Sequence, residues 1–493
     1  MAGWSDVSDR LGHRHPNAAS KDAANRFDAA WLAMVTEGRL VRAGERSISG
    51  GAVDSRQVSE GSVFFALPGE RTDGHRFLEA AVEAGAAALV VTEELEPPRL
   101  AALAGDGRVT VVQVADAAVA LRTLAARYRD RFAPLMVGIT GSLAKTSTKE
   151  QIAEVLGERF VTLRNPANWN NEIGLPLTLL QLRPNHQAAV LEMGLYTTGE
   201  IALLAGLARP SIGVVTAVRG VHLSRAGSIE AIEIGKRELV EALPSDGWAI
   251  LNADDERVRR MAGHTPAQVL TYGFAAEADV RASAVVSLGA AGMHFTLETP
   301  PGTRTVETPV LGRHGVHNAL AAVAVGLCAG MTLDEIVPGL ARPLVMPHRS
   351  QLVQAGAWTI LDDSYNASPD AVLAALGLLA ELPGRHLAVL GEMLELGDSA
   401  EAEHRRVGRE AADLVDRLIV VGTGARPLAE GAVEGGLAAD RVSLAADRDE
   451  ALASLLAELE DGDTILVKAS RGAALDLLVE QLALAAGAAG TEA

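Results

Sequence analysis

The chain has a single cysteine, Cys328, so an intrachain disulfide and a cysteine-rich zinc site are both excluded. Cys328 reads instead as small apolar filler inside a helix. Basic charge is also scarce: 44 lysines and arginines stand against 63 aspartates and glutamates, a formal net charge of −19. That balance offers no general attraction to nucleic acid or an anionic membrane, so neither is expected as a partner, and any phosphate ligand must be held by local donors. A long apolar run is missing too. The longest, Ala319 to Met331, contains two glycines and falls short of the ~20 residues that cross a bilayer. It reads as a buried helix, and no membrane insertion is expected. The polar N-terminus lacks the apolar core of a signal peptide, which makes the cytoplasm the expected location. No internal repeat of fixed period is visible.

What is present is ample core material, 48% hydrophobic residues in 493, which suits two to four domains. A polar lead passes into a helix around Ala29 to Met34. "GSVFFALPG", "GHRFLEAAVEAGAAALVVTEE" and "RVTVVQVADAAVALRTLAARYRDRF" then alternate strand and helix, the mark of an α/β layer architecture. A second unit opens at Pro134, with buried strands at "HQAAVLEMG", "PSIGVVTAV" and "GWAILNADD", a hairpin-like section over residues 279–312, and an apolar helix beginning near Val316. A third follows "RPLVMPHRS", with strands at "WTILDDSY", "HLAVLGEM", "RLIVVG" and "DTILVKAS", each trailed by a helix, a doubly wound pattern. The expected division is an extension over 1–40 and domains over 41–132, 133–345 and 346–493.

The sharpest local signal lies at the start of the second unit, where a strand runs into Thr140-Gly141-Ser142-Leu143-Ala144-Lys145-Thr146. A glycine-rich turn between strand and helix turns backbone N–H groups onto phosphate oxygens, and the helix N-terminus adds partial positive charge. Gly141, Ser142 and Ser147 would belong to that cradle, Lys145 would neutralise the outer phosphates, and Thr146 would reach a magnesium ion. The usual loop has glycine where this chain has Ala144. If that position needs positive φ, alanine costs about 1–2 kcal/mol, which predicts weakened rather than abolished nucleotide binding. Asn165 to Leu180, "NPANWNNEIGLPLTLL", gathers asparagines suited either to a polar ligand or to helix caps. Glu192 ends a buried strand, where open α/β sheets present ligand groups and where a carboxylate needs a partner. His222 and Lys236 follow. Taken singly each is weak, and "IGKREL" around Lys236 is equally a solvated helix face. His13, His15, His264 and His404 show no ligand spacing and read as surface residues.

The order of these pieces resembles the Mur ligases of peptidoglycan synthesis, over nearly everything from Ser47 to Leu484. "DSRQVSEGSVFFALPGERTDGHRF", "NWNNEIGLPLTLL", "LDDSYNASPDAVLAAL" and "LGEMLELG" carry the likeness. Within the family the pattern is most similar to members that add D-alanyl-D-alanine to a UDP-linked muramoyl tripeptide. The resemblance implies an α/β fold of three domains: a small N-terminal substrate domain, a central P-loop ATPase domain and a C-terminal Rossmann-like domain. It implies a ligase that phosphorylates a carboxylate with ATP and lets an amine displace the phosphate, using magnesium and acting as a monomer. Carried over by residue, Ser55 and Arg56 would meet the uridine nucleotide sugar. Lys145 and Thr146 would serve the ATP phosphates and magnesium, Glu192 and His222 would ligate magnesium, and Lys236 would be a carbamylation site. Asn318 would lie near adenine, Arg349 and Asp363 would close on ATP, Asn170 and Asn171 would shape the acceptor site, and Asn366 and Ser368 would face the incoming dipeptide. The chain departs from the family pattern at Ala144, Ser147, Ala217, Arg219, His348, Ser368 and Ala469, with glycine usual at 144, 219, 348 and 469. A ligase with a different amine or carboxylate, and a catalytically silent nucleotide-binding relative, remain open at this point.

Overall fold

The computed structural model describes residues 25–69, 72–104, 107–220, 225, 227–344 and 346–489. Three sheets organise the chain, each closed by the helices that alternate with its strands. The first comprises β1 (Arg39–Arg42), β2 (Gly51–Ala52), β3 (Val63–Phe65), β4 (Ala88–Val91) and β5 (Thr110–Gln113), in the order β1-β5-β4-β3-β2. All its neighbours are parallel except β1 and β5. β3 and β4 are buried on both faces, which is why they read as continuous apolar runs, while the short edge strands β1 and β2 carry no such signal. The helix expected around Ala29 spans Ala29–Val35, capped by the Asp28 carboxylate.

The second sheet has nine strands: β6 (Leu135–Thr140), β7 (Thr162–Arg164), β8 (Ala188–Glu192), β9 (Ile212–Val215), β10 (Trp248–Asn252), β11 (Gln268–Gly273), β12 (Val280–Ser287), β13 (Met293–Thr299) and β14 (Gly302–Thr308). Its order is β14-β13-β12-β11-β10-β9-β6-β8-β7. Strands β6 to β12 run parallel and β12 to β14 antiparallel, which accounts for the alternating pattern expected there. Because β6 lies between β8 and β9, the carboxyl ends of three adjacent strands open onto one crevice.

The apolar helix spans Gly312–Cys328 and packs with the Lys145–Gly157 helix in the core that also buries Cys328. It begins a turn earlier than its apolar period suggests, because "GRHG" presents polar side chains that a hydrophobic pattern does not register. No helix among the described residues is long and apolar enough to cross a membrane.

The third sheet runs β15 (Gln351–Ala355), β16 (Trp358–Asp362), β20 (Thr464–Lys468), β17 (His386–Gly391), β18 (Arg417–Val421), β19 (Val442–Ala445). It is parallel apart from the β15 edge, which forms a hairpin with β16. One histidine departs from expectation. His404 is buried: its Nε2 accepts the Met393 N–H at 2.9 Å and its Nδ1 donates to the Ala400 carbonyl at 2.7 Å, so it pins the loop after β17 rather than facing solvent. A helix position three residues from apolar Val407 could have signalled this.

Candidate active site

The site begins where β6 ends. The strand is buried as far as Thr140 and turns at Gly141 into the Lys145–Gly157 helix. Gly141 has φ +153°, and a β-carbon there would stand 1.8 Å from Thr216 Oγ1 just past β9, so only glycine lets the two strand ends approach this closely. The loop is then tied to the neighbouring strand end. The Ser142 N–H donates to the Ala217 carbonyl at 2.7 Å, and its hydroxyl donates to the Arg219 carbonyl at 3.0 Å. The Thr216 hydroxyl donates to the Leu143 carbonyl at 2.6 Å. Ala144 sits at φ 62°, ψ 4°, a left-handed conformation, so the position does demand what glycine supplies freely. The strain raises the energy of the folded chain by about 1–2 kcal/mol.

Glu192 ends β8 with 2% of its surface exposed. Thr146 Oγ1 donates to its Oε2 at 2.8 Å, Asn170 Nδ2 to its Oε1 at 2.7 Å, and its own N–H donates to Asn165 Oδ1 at 2.9 Å. No ion pair to Glu192 occurs among the described residues, so a buried negative charge is held by neutral donors. The Glu192 carboxylate and the Thr146 hydroxyl beside it are oxygen ligands of the kind a hard divalent cation takes, and magnesium fits the residues present. Lys145 Nζ donates to the Gly141 carbonyl at 2.8 Å. Burial pushes its pKa down; Glu192 opposes the shift and the Arg349 guanidinium adds to it.

Lys236, on the Ile229–Glu241 helix, is only 3% exposed, and no hydrogen bond or ion pair to it occurs among the described residues. The solvated-face alternative is thereby excluded. Burial first, and the Lys145 charge second, push its pKa well below the usual lysine range. Such an amine is poised to be neutral and nucleophilic.

The opposite wall belongs to the third domain. Arg349 lies 3.8 Å above the Tyr365 ring, between two left-handed residues, His348 at φ 62° and Ser350 at φ 46°. The glycine expected at 348 would have met the same backbone demand. Asp363 Oδ1 accepts the Ser350 N–H at 2.9 Å, and Lys468 Nζ lies 2.5 Å from Asp363 Oδ2 and 2.8 Å from the Asn366 carbonyl. Ser368 caps the Pro369–Ala380 helix by position only; its buried hydroxyl has no partner among the described residues.

A cavity of about 600 Å³ lies between the walls, and Ser142, Lys145, Thr146, Ser147, Asn170, Glu192, Asn318, Arg349, Asp363, Asn366 and Ser368 all line it. Asn318 Oδ1 also accepts the Thr148 hydroxyl at 3.0 Å, tying the long apolar helix to the phosphate-loop helix. Gly141 and Lys236 do not line it, and three further expected residues stand elsewhere. Asn171 caps the Gly174–Leu179 helix, accepting the Gly174 N–H at 2.8 Å, and faces only a smaller adjoining pocket. Ser55 and Arg56 form a turn beside β2, where Arg56 is paired with Asp54 at 2.6 Å. His222 lies outside the described residues.

Sequence reasoning missed His314, which lines the cavity and whose pKa burial pushes down, and Lys468, a buried lysine at the end of β20. It also missed Lys149. That side chain is fully buried, with Nζ donating to the Asn165 carbonyl at 2.7 Å and pairing with Glu150 at 2.9 Å. A lysine at a strand's carboxyl end was a usable signal for Lys468. Lys149 gave none, because it sits in a polar helical stretch.

Known proteins share this arrangement. Family models match at residues 47–129 (Mur ligase family, catalytic domain), 139–326 (Mur ligase middle domain) and 348–471 (Mur ligase, glutamate ligase domain). The UDP-N-acetylmuramoyl-tripeptide–D-alanyl-D-alanine ligase of Mycobacterium tuberculosis (strain ATCC 25618 / H37Rv) is 40% identical over 463 residues, covering 87% of this chain and 91% of the relative. The enzyme of that description from Bacillus subtilis (strain 168) is 37% identical, covering 88% and 93%. A crystal structure of MurF from Acinetobacter baumannii superimposes with a TM-score of 0.82 at 30% identity, covering 93% of this chain and 99% of that one. MurF ligase from Thermotoga maritima in complex with ADP gives 0.77 at 26%, covering 89% and 98%.

Proposed function

The chain belongs to the Mur ligase family, and from that premise we propose that its cavity joins D-alanyl-D-alanine to UDP-N-acetylmuramoyl-tripeptide, driven by ATP, in peptidoglycan precursor synthesis. The observation that carries this is the convergence of Lys145, Thr146 and Glu192 from one domain with Arg349, Asp363 and Asn366 from another on a single cavity. Amide formation from a carboxylate is uphill in water. The γ-phosphoryl group of ATP is therefore transferred to the substrate carboxylate, giving an acyl phosphate and ADP. The dipeptide amine attacks the acyl carbon, and the tetrahedral adduct expels phosphate and loses a proton.

Such chemistry asks for positioning and charge neutralisation more than for covalent help. The N–H groups of the Leu143–Thr146 turn cradle the phosphates, that of Ser142 being taken by the Ala217 carbonyl; Lys145 swings from the Gly141 carbonyl onto the outermost phosphate, and Arg349 meets it from the third domain. Thr146 and Glu192, with His222, would hold magnesium, which supplies further neutralisation when bound. Lys236 would carry a carbamate, favoured by the burial that disfavours its charged form. Asn318 stands toward the adenine, Asn170 fixes Glu192 at the acceptor side, and Ser55 and Arg56 receive the uridine nucleotide. Asn366 and Ser368 face the dipeptide. Residues 41–132, 133–345 and 346–493 divide these tasks as substrate, ATP and closing domains. On this reading the protein works as a monomer, in the cytoplasm, where ATP and UDP-linked substrates are at hand.

Purified protein should release phosphate only when ATP, magnesium, the muramoyl tripeptide and D-alanyl-D-alanine are all present, with product mass rising by the dipeptide less water. Absence of phosphate release from the complete mixture would refute the proposal.

A further inference from the structure

Arg219 stands where the family pattern has glycine, and it makes contacts a glycine cannot. Its N–H donates to the Ser142 hydroxyl at 2.9 Å, and that hydroxyl donates back to its carbonyl at 3.0 Å, so its backbone is locked to the phosphate loop. Its Nη1 is hydrogen-bonded to Asp255, a carboxylate 2% exposed that also accepts the N–H groups of Val218, Arg257 and Val258 at 2.9, 3.0 and 3.2 Å. Its Nε lies 3.3 Å from Asp370 Oδ2. Asp370 belongs to the third domain. It follows Ser368 by two residues, lines the cavity, and lies in the first turn of the Pro369–Ala380 helix. One residue therefore joins the phosphate loop, through its backbone, to a rigid carboxylate in the second domain and to the helix that starts at the dipeptide-facing loop, through its side chain.

We propose that Arg219 is a positioning residue that seats the Asn366–Ser368 loop over the phosphate loop. An exposed ion pair is ordinarily worth little, because two long side chains must be ordered to form it. Here the buried Asp255 has already fixed the guanidinium, so the contact to Asp370 orders only one short side chain. The guanidinium reaches Asp255 with Nη1 and Asp370 with Nε, from two separate nitrogens; a lysine presents its donors from one nitrogen and would have to lie within reach of both carboxylates. Opening of the third domain must break the Asp370 contact and leaves the Asp255 contact intact. The site thus assembles around an arm anchored on the nucleotide side. A second ion pair between these domains, Arg225 to Glu395 at 3.5 Å, lies nearby.

The inference rests on the ligase reading, and the test separates the two. Full-length R219M, R219K and D370N are compared with the parent chain for KM toward D-alanyl-D-alanine, KM toward ATP, kcat and small-angle scattering without ligands. R219M and D370N should each raise the dipeptide KM about two- to fivefold with a smaller change in ATP KM, and should broaden the scattering envelope. R219K should recover only part of the effect, and the R219M/D370N double variant should be no worse than either single one. D370N leaves the Arg219–Asp255 contact in place but also removes the Arg406 Nη2 contact to Asp370 at 3.5 Å, so R406M is measured beside it; a dipeptide KM that rises in D370N and not in R406M decides the matter should R219M fail to fold. An unchanged dipeptide KM and envelope in D370N, or effects that add in the double variant, would overturn the inference. Lack of turnover by the parent chain would instead sink the ligase reading, and the scattering would still decide the arm.

Discussion

Ala144 shows how a single side chain can violate a motif and leave its geometry in place. The loop adopts the left-handed turn that glycine would choose, and the surrounding bonds from Thr216, Ser142 and Ala217 hold it there. Replacing Ala144 by glycine removes a strain of about 1–2 kcal/mol and restores some chain entropy to the unfolded state, for a net gain of about 1 kcal/mol. A144G should melt at a higher temperature, because the left-handed backbone costs glycine nothing; a melting temperature no higher than the parent chain's would contradict this. Lys236 makes a second case. Its folded pKa lies below its unfolded value, so the folded state binds fewer protons and stability rises with pH between the two values. The penalty is full below the folded pKa and vanishes near the free-lysine value of about 10.4. In bicarbonate-free buffer, K236M should therefore melt above the parent chain at neutral pH, by a margin that shrinks as the pH climbs toward that value; thermal denaturation across the range checks it. K236A should lose turnover, with partial recovery on adding acetate or formate as surrogate anions.

At the scale of elements, the segment from Asn165 to Leu180 behaves as two parts that composition could not separate. Asn165 and Asn170 grip Glu192, whereas Asn171 caps a helix, so the capping alternative holds at Asn171 while its neighbours bond a buried carboxylate. What holds this loop against the sheet is Lys149 on the phosphate-loop helix, through the Asn165 and Ala167 carbonyls at 2.7 and 3.3 Å. K149M would leave those carbonyls without their donor, a loss of about 1–3 kcal/mol, while Glu150 keeps Arg164 at 3.0 Å. It should lower the melting temperature and weaken the effect of magnesium on turnover, readable as a higher metal concentration at half-maximal rate. The buried strands of all three sheets were legible because parallel strands covered on both faces read as apolar runs; β7, β11, β15 and β19 were not, being short or partly exposed.

At the scale of the molecule, the reaction depends on walls from different domains meeting. Lys145 and Glu192 lie on one side of the cavity, and Arg349, Asp363 and Lys468 on the other, with His314 between them from the long buried helix. Chelation should abolish product formation by the complete mixture, with magnesium restoring it, while the melting temperature changes little because the fold itself is closed by apolar cores. A fold that unravels on chelation would show the metal to be structural instead.

The sequence by itself determined the three-domain α/β order, the phosphate loop with Lys145 and Thr146, and Glu192 at a strand end. Each is a local fact, set by hydrophobic period, turn chemistry and short spacing. Only the tertiary structure decided that Lys236 is buried rather than solvated, that Asn170 and not Asn171 holds the carboxylate, that His404 is internal, and that Arg219 reaches Asp370. Those outcomes depend on burial and on contacts between residues distant in the chain, which a one-dimensional pattern does not encode, because the free energy of a charged group is set by what packs around it.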